Sequence, residues 1–154
     1  MYKQLRREDK KMDADRAGRV LASQGYGVLS TCGKAGDPYG IPLHYVYEND
    51  SIYFHCAGEG QKWEYMMNDN RVSFCVTGDY HIEPDRLTTV YESVIVRGKA
   101  AEVSGEEKKN ALRAMLRKYA PDNLAAGEIH IADKIQNVKV MKIIVEHMTG
   151  KAGL

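Results

Sequence analysis

The sequence is poor in cysteine, in net charge and in long apolar stretches, and each shortage removes a class of protein. Cysteine occurs three times, as Cys32, Cys56 and Cys75. The odd count, with no CxxC pair, speaks against a disulfide framework. The expectation is reduced thiols in a cytoplasm, packed as small apolar groups. Lysine and arginine number 22 against 21 acidic residues, a formal net charge of +1. No global field therefore draws the chain to nucleic acid or to an acidic membrane. No apolar run approaches the roughly 20 residues that a membrane span needs. Met1 to Lys11 is polar and charged, without the apolar centre of a signal peptide. These absences predict a cytoplasmic protein with no membrane or nucleic-acid partner.

What remains is an ordinary globular composition. The 154 residues suit one domain, 1–154, that buries roughly two thirds of its unfolded surface. Charged residues make up 28% and hydrophobic ones 44%, near the average for soluble domains. No repeat, low-complexity tract or linker divides the chain.

Periodicity supplies the elements. Asp13 can cap a helix over Ala14 to Gln24, with Ala17, Val20, Leu21 and Gln24 on one side. Tyr26 to Cys32 reads as a strand, and Gly33 to Pro38 as a turn. Ile41 to Tyr47 alternates as a strand, with Pro42 confined to its start or to a sheet edge. Asn49-Asp50 suits a tight hairpin into a return strand, Ser51 to Ala57. Gly58 to Gly60 breaks that strand before a short helix, Gln61 to Asn68. Arg71 to Thr77 and Thr89 to Val103 are strands, the second carrying Gly98 where a bulge fits. Ser104 to Glu107 has the capping-box pattern for a helix whose inner face is Ala111, Leu112, Met115, Leu116 and Tyr119. Pro121 ends it. Asp122 to Asp133 is expected to be a loop with a short helical turn, Val138 to Met148 the last strand, and Gly150 and Gly153 part of a loose tail. Hairpin-linked strands with few helices predict a mainly β fold: a small antiparallel barrel with peripheral helices, not alternating βαβ units.

Ile52 to Trp63 is the most informative segment. A strand runs into a glycine turn, then into a helix with Lys62 in its first turn. Free N–H groups and the dipole at a helix start attract anions. Glycine permits close approach, and Lys62 adds a point charge suited to phosphate. His55 can donate a further hydrogen bond. The same pattern also describes a plain strand–glycine–helix turn with a solvated lysine. A Walker A phosphate loop is absent, because Trp63 follows Lys62 where Ser or Thr is required.

Three runs carry a family resemblance: Tyr26 to Thr31, Pro38 to Tyr47, and Ile52 to Ala57 with Gly60 and Lys62. A fourth, Tyr91 to Ala100, is similar to a long central strand, and Thr149-Gly150-Lys151 to a usual ending. Together they resemble the FMN-binding split-barrel proteins related to pyridoxamine 5'-phosphate oxidase, in the nitroimidazole-resistance branch. The resemblance implies an antiparallel Greek-key split β-barrel that forms a homodimer, with FMN in clefts between the subunits. It implies that Pro42, Leu43, His44 and Tyr45 lie along the flavin ring. His55, Cys56, Ala57, Gly60 and Lys62 would hold the ribityl chain and phosphate. Trp63 would pack on the flavin or on the partner, and Glu92 and Ser93 would come from the neighbouring subunit. The chain is short for a true pyridoxamine-phosphate oxidase and lacks that enzyme's C-terminal substrate-phosphate signature.

His55 is the candidate catalytic residue, for flavin contact, substrate contact or proton transfer near neutral pH. His44 either faces the flavin or is an ordinary half-buried histidine. His81, His130 and His147 read as surface residues. No zinc-type spacing appears, so no metal is expected. The functional expectation is an FMN-dependent oxidoreductase acting on a small acceptor such as a nitroaromatic compound. The alternative is a non-enzymatic protein that holds flavin, or haem on His44 or His55.

Overall fold

The computed structural model describes residues 1–153. Its seven strands are β1 (Gly27–Cys32), β2 (Pro38–Leu43), β3 (Val46–Glu48), β4 (Ser51–Cys56), β5 (Arg71–Glu83), β6 (Thr88–Val103) and β7 (Lys139–Gly153). The four helices are α1 (Ala14–Ser23), α2 (Gln61–Asn68), α3 (Gly105–Tyr119) and α4 (Leu124–Lys134). All strand pairings are antiparallel, in the order β2-β1-β5-β6-β7-β4-β3. The two edge strands, β2 and β3, are consecutive in the chain and separated only by His44 and Tyr45. The barrel is split at that junction, and the expected mainly antiparallel barrel with peripheral helices is what the chain forms.

The inner wall is filled by Leu21, Leu29, Tyr45, Ile52, Phe54, Phe74, Val94, Val96, Met141 and Ile143, all fully buried or nearly so. Tyr45 meets Phe74 edge to face, with ring centroids 4.8 Å apart. α3 lies outside the barrel over a second cluster that includes Val46, Tyr53, Met115 and Val140.

Several local signals act as read. The side chain of Asp13 accepts from the Arg16 N–H at 2.7 Å and caps α1. Asn49 and Asp50 take the positive φ values, 51° and 57°, of a tight hairpin. Pro42 sits on edge strand β2. The β6–β7 register shifts between Arg97 and Gly98, the bulge anticipated at that glycine.

Four expectations are corrected. Ile41 to Tyr47 is not one strand, because pairing with β1 stops at Leu43 and pairing with β4 starts at Val46. The Ser104 side chain makes no cap hydrogen bond; Gly105, at φ 60°, turns the chain into α3 instead. Asp122 to Asp133 is largely helix α4, not a loop. The supposed tail is strand: Gly150 pairs with Val94 and Gly153 with Tyr91. The glycines there give room, since a side chain at Gly150 would meet Met12 and Ala17.

Candidate functional site

β4 ends at Cys56, and the chain turns through Gly58 and Gly60, both with positive φ, into α2. No side chain caps this helix, and the first helical bond runs from the Glu64 N–H to the Gly60 carbonyl. The N–H groups of Gln61, Lys62 and Trp63 lie ahead of that bond, as an anion site requires. Lys62 is half-buried and makes no hydrogen bond or ion pair among the described residues. A Cβ built on Gly60 would meet nothing within 4 Å, so space is open above the turn.

His55 lies beside this corner. Its side chain is exposed at the surface, yet the atoms packed around the ring desolvate it enough to hold the imidazole below the ordinary 6.5, with Lys62 and then His44 adding to the effect. Folding favours the neutral ring, so the associated stability is full above pH 6.5 and is lost as pH falls through the depressed folded value. An NMR titration should find the His55 midpoint below 6.5; a midpoint at or above that value would contradict the desolvation of the ring first, and the influence of Lys62 with it. Cys56 is buried, and burial pushes its thiol upward in pKa, which describes a packed, unreactive cysteine.

The junction His44–Tyr45 is held from α3. The Tyr45 N–H donates to the Tyr119 hydroxyl at 3.0 Å. That hydroxyl lies 2.8 Å from the carbonyls of both Tyr45 and Gly25 and can donate to either. Lys118 donates to the Tyr45 carbonyl at 3.0 Å, with its Nζ 4.0 Å from the centre of the Tyr45 ring. Burial holds this ammonium below its ordinary pKa. The Tyr45 hydroxyl donates to the Leu21 carbonyl. Side chains thus satisfy the backbone where strand pairing stops. The clamp sets the direction of His44, whose ring lies 4.6 Å from that of Tyr119.

His44, His55 and His130 of α4, all exposed, line an open cleft of about 270 Å³. Among the described residues no group of His, Cys, Asp and Glu is arranged to hold a metal ion. A wider, open depression of about 820 Å³ lies against α2 and the β1–β2 turn. Trp63 packs on the core and lines this depression, and does not line the histidine cavity.

Pro42 and Leu43 end β2, and His44 and Tyr45 follow directly; Ala57 leads from β4 into the corner. Glu92 and Ser93 lie elsewhere. Glu92 pairs with Ala152 and His55 with Val140, positions on β7 separated by roughly 40 Å of extended strand. Glu92 forms an ion pair with Arg16 of α1. Within one chain these two residues do not join the others.

Residues 13–152 match the family model described as pyridoxamine 5'-phosphate oxidase. The chain belongs to that family. No curated protein matches it. Among solved structures it is similar to a putative 5-nitroimidazole antibiotic resistance protein from Bacteroides thetaiotaomicron, at 28% identity and TM-score 0.76, covering 92% of this chain and 86% of that one. It is similar in fold to an FAD-binding protein from Mesorhizobium loti, at 24% identity and TM-score 0.67, covering 94% and 98%. The haem storage protein HutZ from Vibrio cholerae shares the fold at 12% identity and TM-score 0.68, covering 92% and 95%. No helix among the described residues of this family member is long and apolar enough to cross a membrane.

Two parts of the site escape a linear reading. Tyr119 appears in sequence only as an inner-face helix residue, and its hydroxyl finds Tyr45 through tertiary packing. His130 reads as a surface residue and is exposed, and α4 carries it to the open cleft beside His44 and His55.

Proposed function

We propose that this family member binds FMN at the Lys62 corner and works as an oxidoreductase on a small acceptor such as a nitroaromatic compound. The observation that carries this reading is the unpaired Lys62 among three free N–H groups, beside a partly desolvated histidine. Those donors and the open space at Gly60 suit a phosphate with its ribityl chain. FMN, when bound, supplies the electron transfer between a nicotinamide or similar donor and the acceptor. The chain's residues bind and orient. Lys62 and the start of α2 neutralise the phosphate, and Ala57 and Gly60 allow its approach. Pro42 to Tyr45, fixed by Tyr119 and Lys118, form the rail for the ring. His55 offers a ring nitrogen that can hold or pass a proton near neutral pH.

Two copies pair in this reading, and Glu92 and Ser93 reach the site from the second copy. Val28, Cys75 and Ile95 form one row across β1, β5 and β6, with Val28 and Ile95 exposed. Such an apolar row suits burial against a second copy. Ile95→Lys should turn a dimer into a monomer in size-exclusion chromatography with light scattering; a variant that stays dimeric removes this row from the interface.

Turnover tests the enzymatic part. The FMN-loaded protein should oxidise NADH or NADPH when a nitroaromatic acceptor is supplied. Bound FMN with neither donor oxidised would describe a flavin carrier. A Soret band that weakens when His44 or His55 is changed would describe a haem holder.

A further inference from the structure

We propose that the β5–β6 hairpin beyond the barrel, residues 78–90, is an arm with which one copy of the chain covers the open cleft of the other, and that Tyr80, Ile82 and Leu87 make the contact. This role for the arm rests on the two-copy flavin reading above.

Pairing sets the arm apart from the barrel. β1 accompanies β5 only as far as Cys75, and β7 accompanies β6 only from Tyr91 onward. Between those limits the two strands pair with each other alone, from Tyr80–Tyr91 to Glu83–Thr88, and a short turn at Pro84–Arg86 joins them. A two-stranded ribbon is marginal in water without a surface to pack on. This one leaves Tyr80, Ile82 and Leu87 exposed.

Leu87 is the sharpest sign. It stands in the left-handed region, at φ 49° and ψ 42°, with its side chain 95% exposed. A bulky residue is rarely found there, where glycine fits without cost. An exposed leucine held in such a conformation fits a residue kept for a contact outside its own chain.

Position names the partner. Ile95, Ser93, Tyr91 and Thr89 share one face of β6, and their partners on β5 are Cys75, Thr77, Tyr80 and Ile82. The apolar row proposed above as the face between copies therefore runs on into the arm without a change of side. Ser93, which reaches the second copy's site in that reading, lies midway along this face. From Ser93 to Thr88 the arm continues for roughly 16 Å, far enough to lie over the neighbouring site. Charge agrees. No Asp or Glu lines the cleft, which presents three imidazoles. Asp79 and Asp85 of the arm make no ion pair among the described residues and complement such a surface.

Two variants, mixed, test whether the arm acts on the other copy. Ile82→Ser with Leu87→Gly strips the arm, and the glycine relieves the left-handed position, so the urea midpoint should stay near wild type. FMN should nevertheless bind at least about tenfold more weakly, from the lost apolar contacts. Lys62→Ala weakens FMN at the corner instead. A heterodimer of the two, purified through different tags on its chains, has one site with Lys62 and an intact arm, and one site with neither. Half of its sites should bind FMN with wild-type affinity, although neither parent homodimer does. Leu87→Gly alone should weaken FMN in the same direction, which keeps the test decisive if the double variant misfolds. Heterodimers in which no site recovers would mean that the arm acts on its own chain, and overturn the proposal. Wild-type FMN affinity in the arm variants, or a wild-type chain that binds FMN as a monomer, overturns it as well. A wild-type dimer that takes no FMN overturns the flavin reading first, and with it the arm's role at that site.

Discussion

Replacing Lys62 with alanine should weaken FMN binding by about 1.5–3 kcal/mol, roughly 10- to 150-fold, the range for a lost charge-assisted hydrogen bond. The fold gives Lys62 nothing else to do. It has no hydrogen-bond or ion-pair partner among the described residues, and it stands in the first turn of an uncapped helix. Its removal should therefore leave the unfolding transition in place while affinity falls. Arginine at the position should restore only part of the affinity, because a planar fork does not reproduce a compact ammonium. Titration followed by quenching of FMN fluorescence measures the change. An unchanged affinity would take Lys62 out of the site.

Gly98→Ala should cost about 3 kcal/mol of stability, the upper end of what overpacking a core costs. Gly98 sits where β6 and β7 slip register: Arg97 faces His147, and Gly98 faces Val145. A Cβ there would overlap the Ile144 carbonyl oxygen, and a backbone atom inside a ladder cannot move aside as a side-chain tip can. The bulge bends the two longest strands, so relief would have to come from unpairing them. The urea midpoint should fall with its slope unchanged. A midpoint matching wild type would mean that the strands can shift register around the added methyl group.

The same bulge shows what a linear reading can reach. A glycine in a valine-rich strand is a local signal, as are the Asp13 cap, the Asn49-Asp50 turn and the glycines before α2. Each depends on residues a few positions apart, and each acts as read. The Lys62 corner was legible for that reason, being contiguous from His55 to Trp63.

The failures depend on distant partners. Alternation carries Ile41 to Tyr47 through as one strand, and only Tyr119 and Lys118 of α3 explain why pairing stops at Leu43. α4 has one buried residue, Ile131, and leaves Leu124 and Ile129 exposed, so no clean apolar stripe marks it. Without α4, nothing in the sequence places His130 beside His44 and His55. Gly150 and Gly153 read as loose because their partners, Val94 and Tyr91, lie more than fifty residues earlier in the chain. Glu92 and Ser93 came from resemblance alone. Their separation from the corner within one chain is why the proposed function requires a second copy.

Flavin binding at the Lys62 corner is the central claim, and the absorption spectrum of the purified protein, before and after adding FMN, tests it most directly. The account predicts a yellow protein, or a colourless one that acquires a bound-flavin spectrum on titration, and that releases FMN on denaturation. A protein that leaves the spectrum of added FMN unchanged would contradict it, whatever the fold.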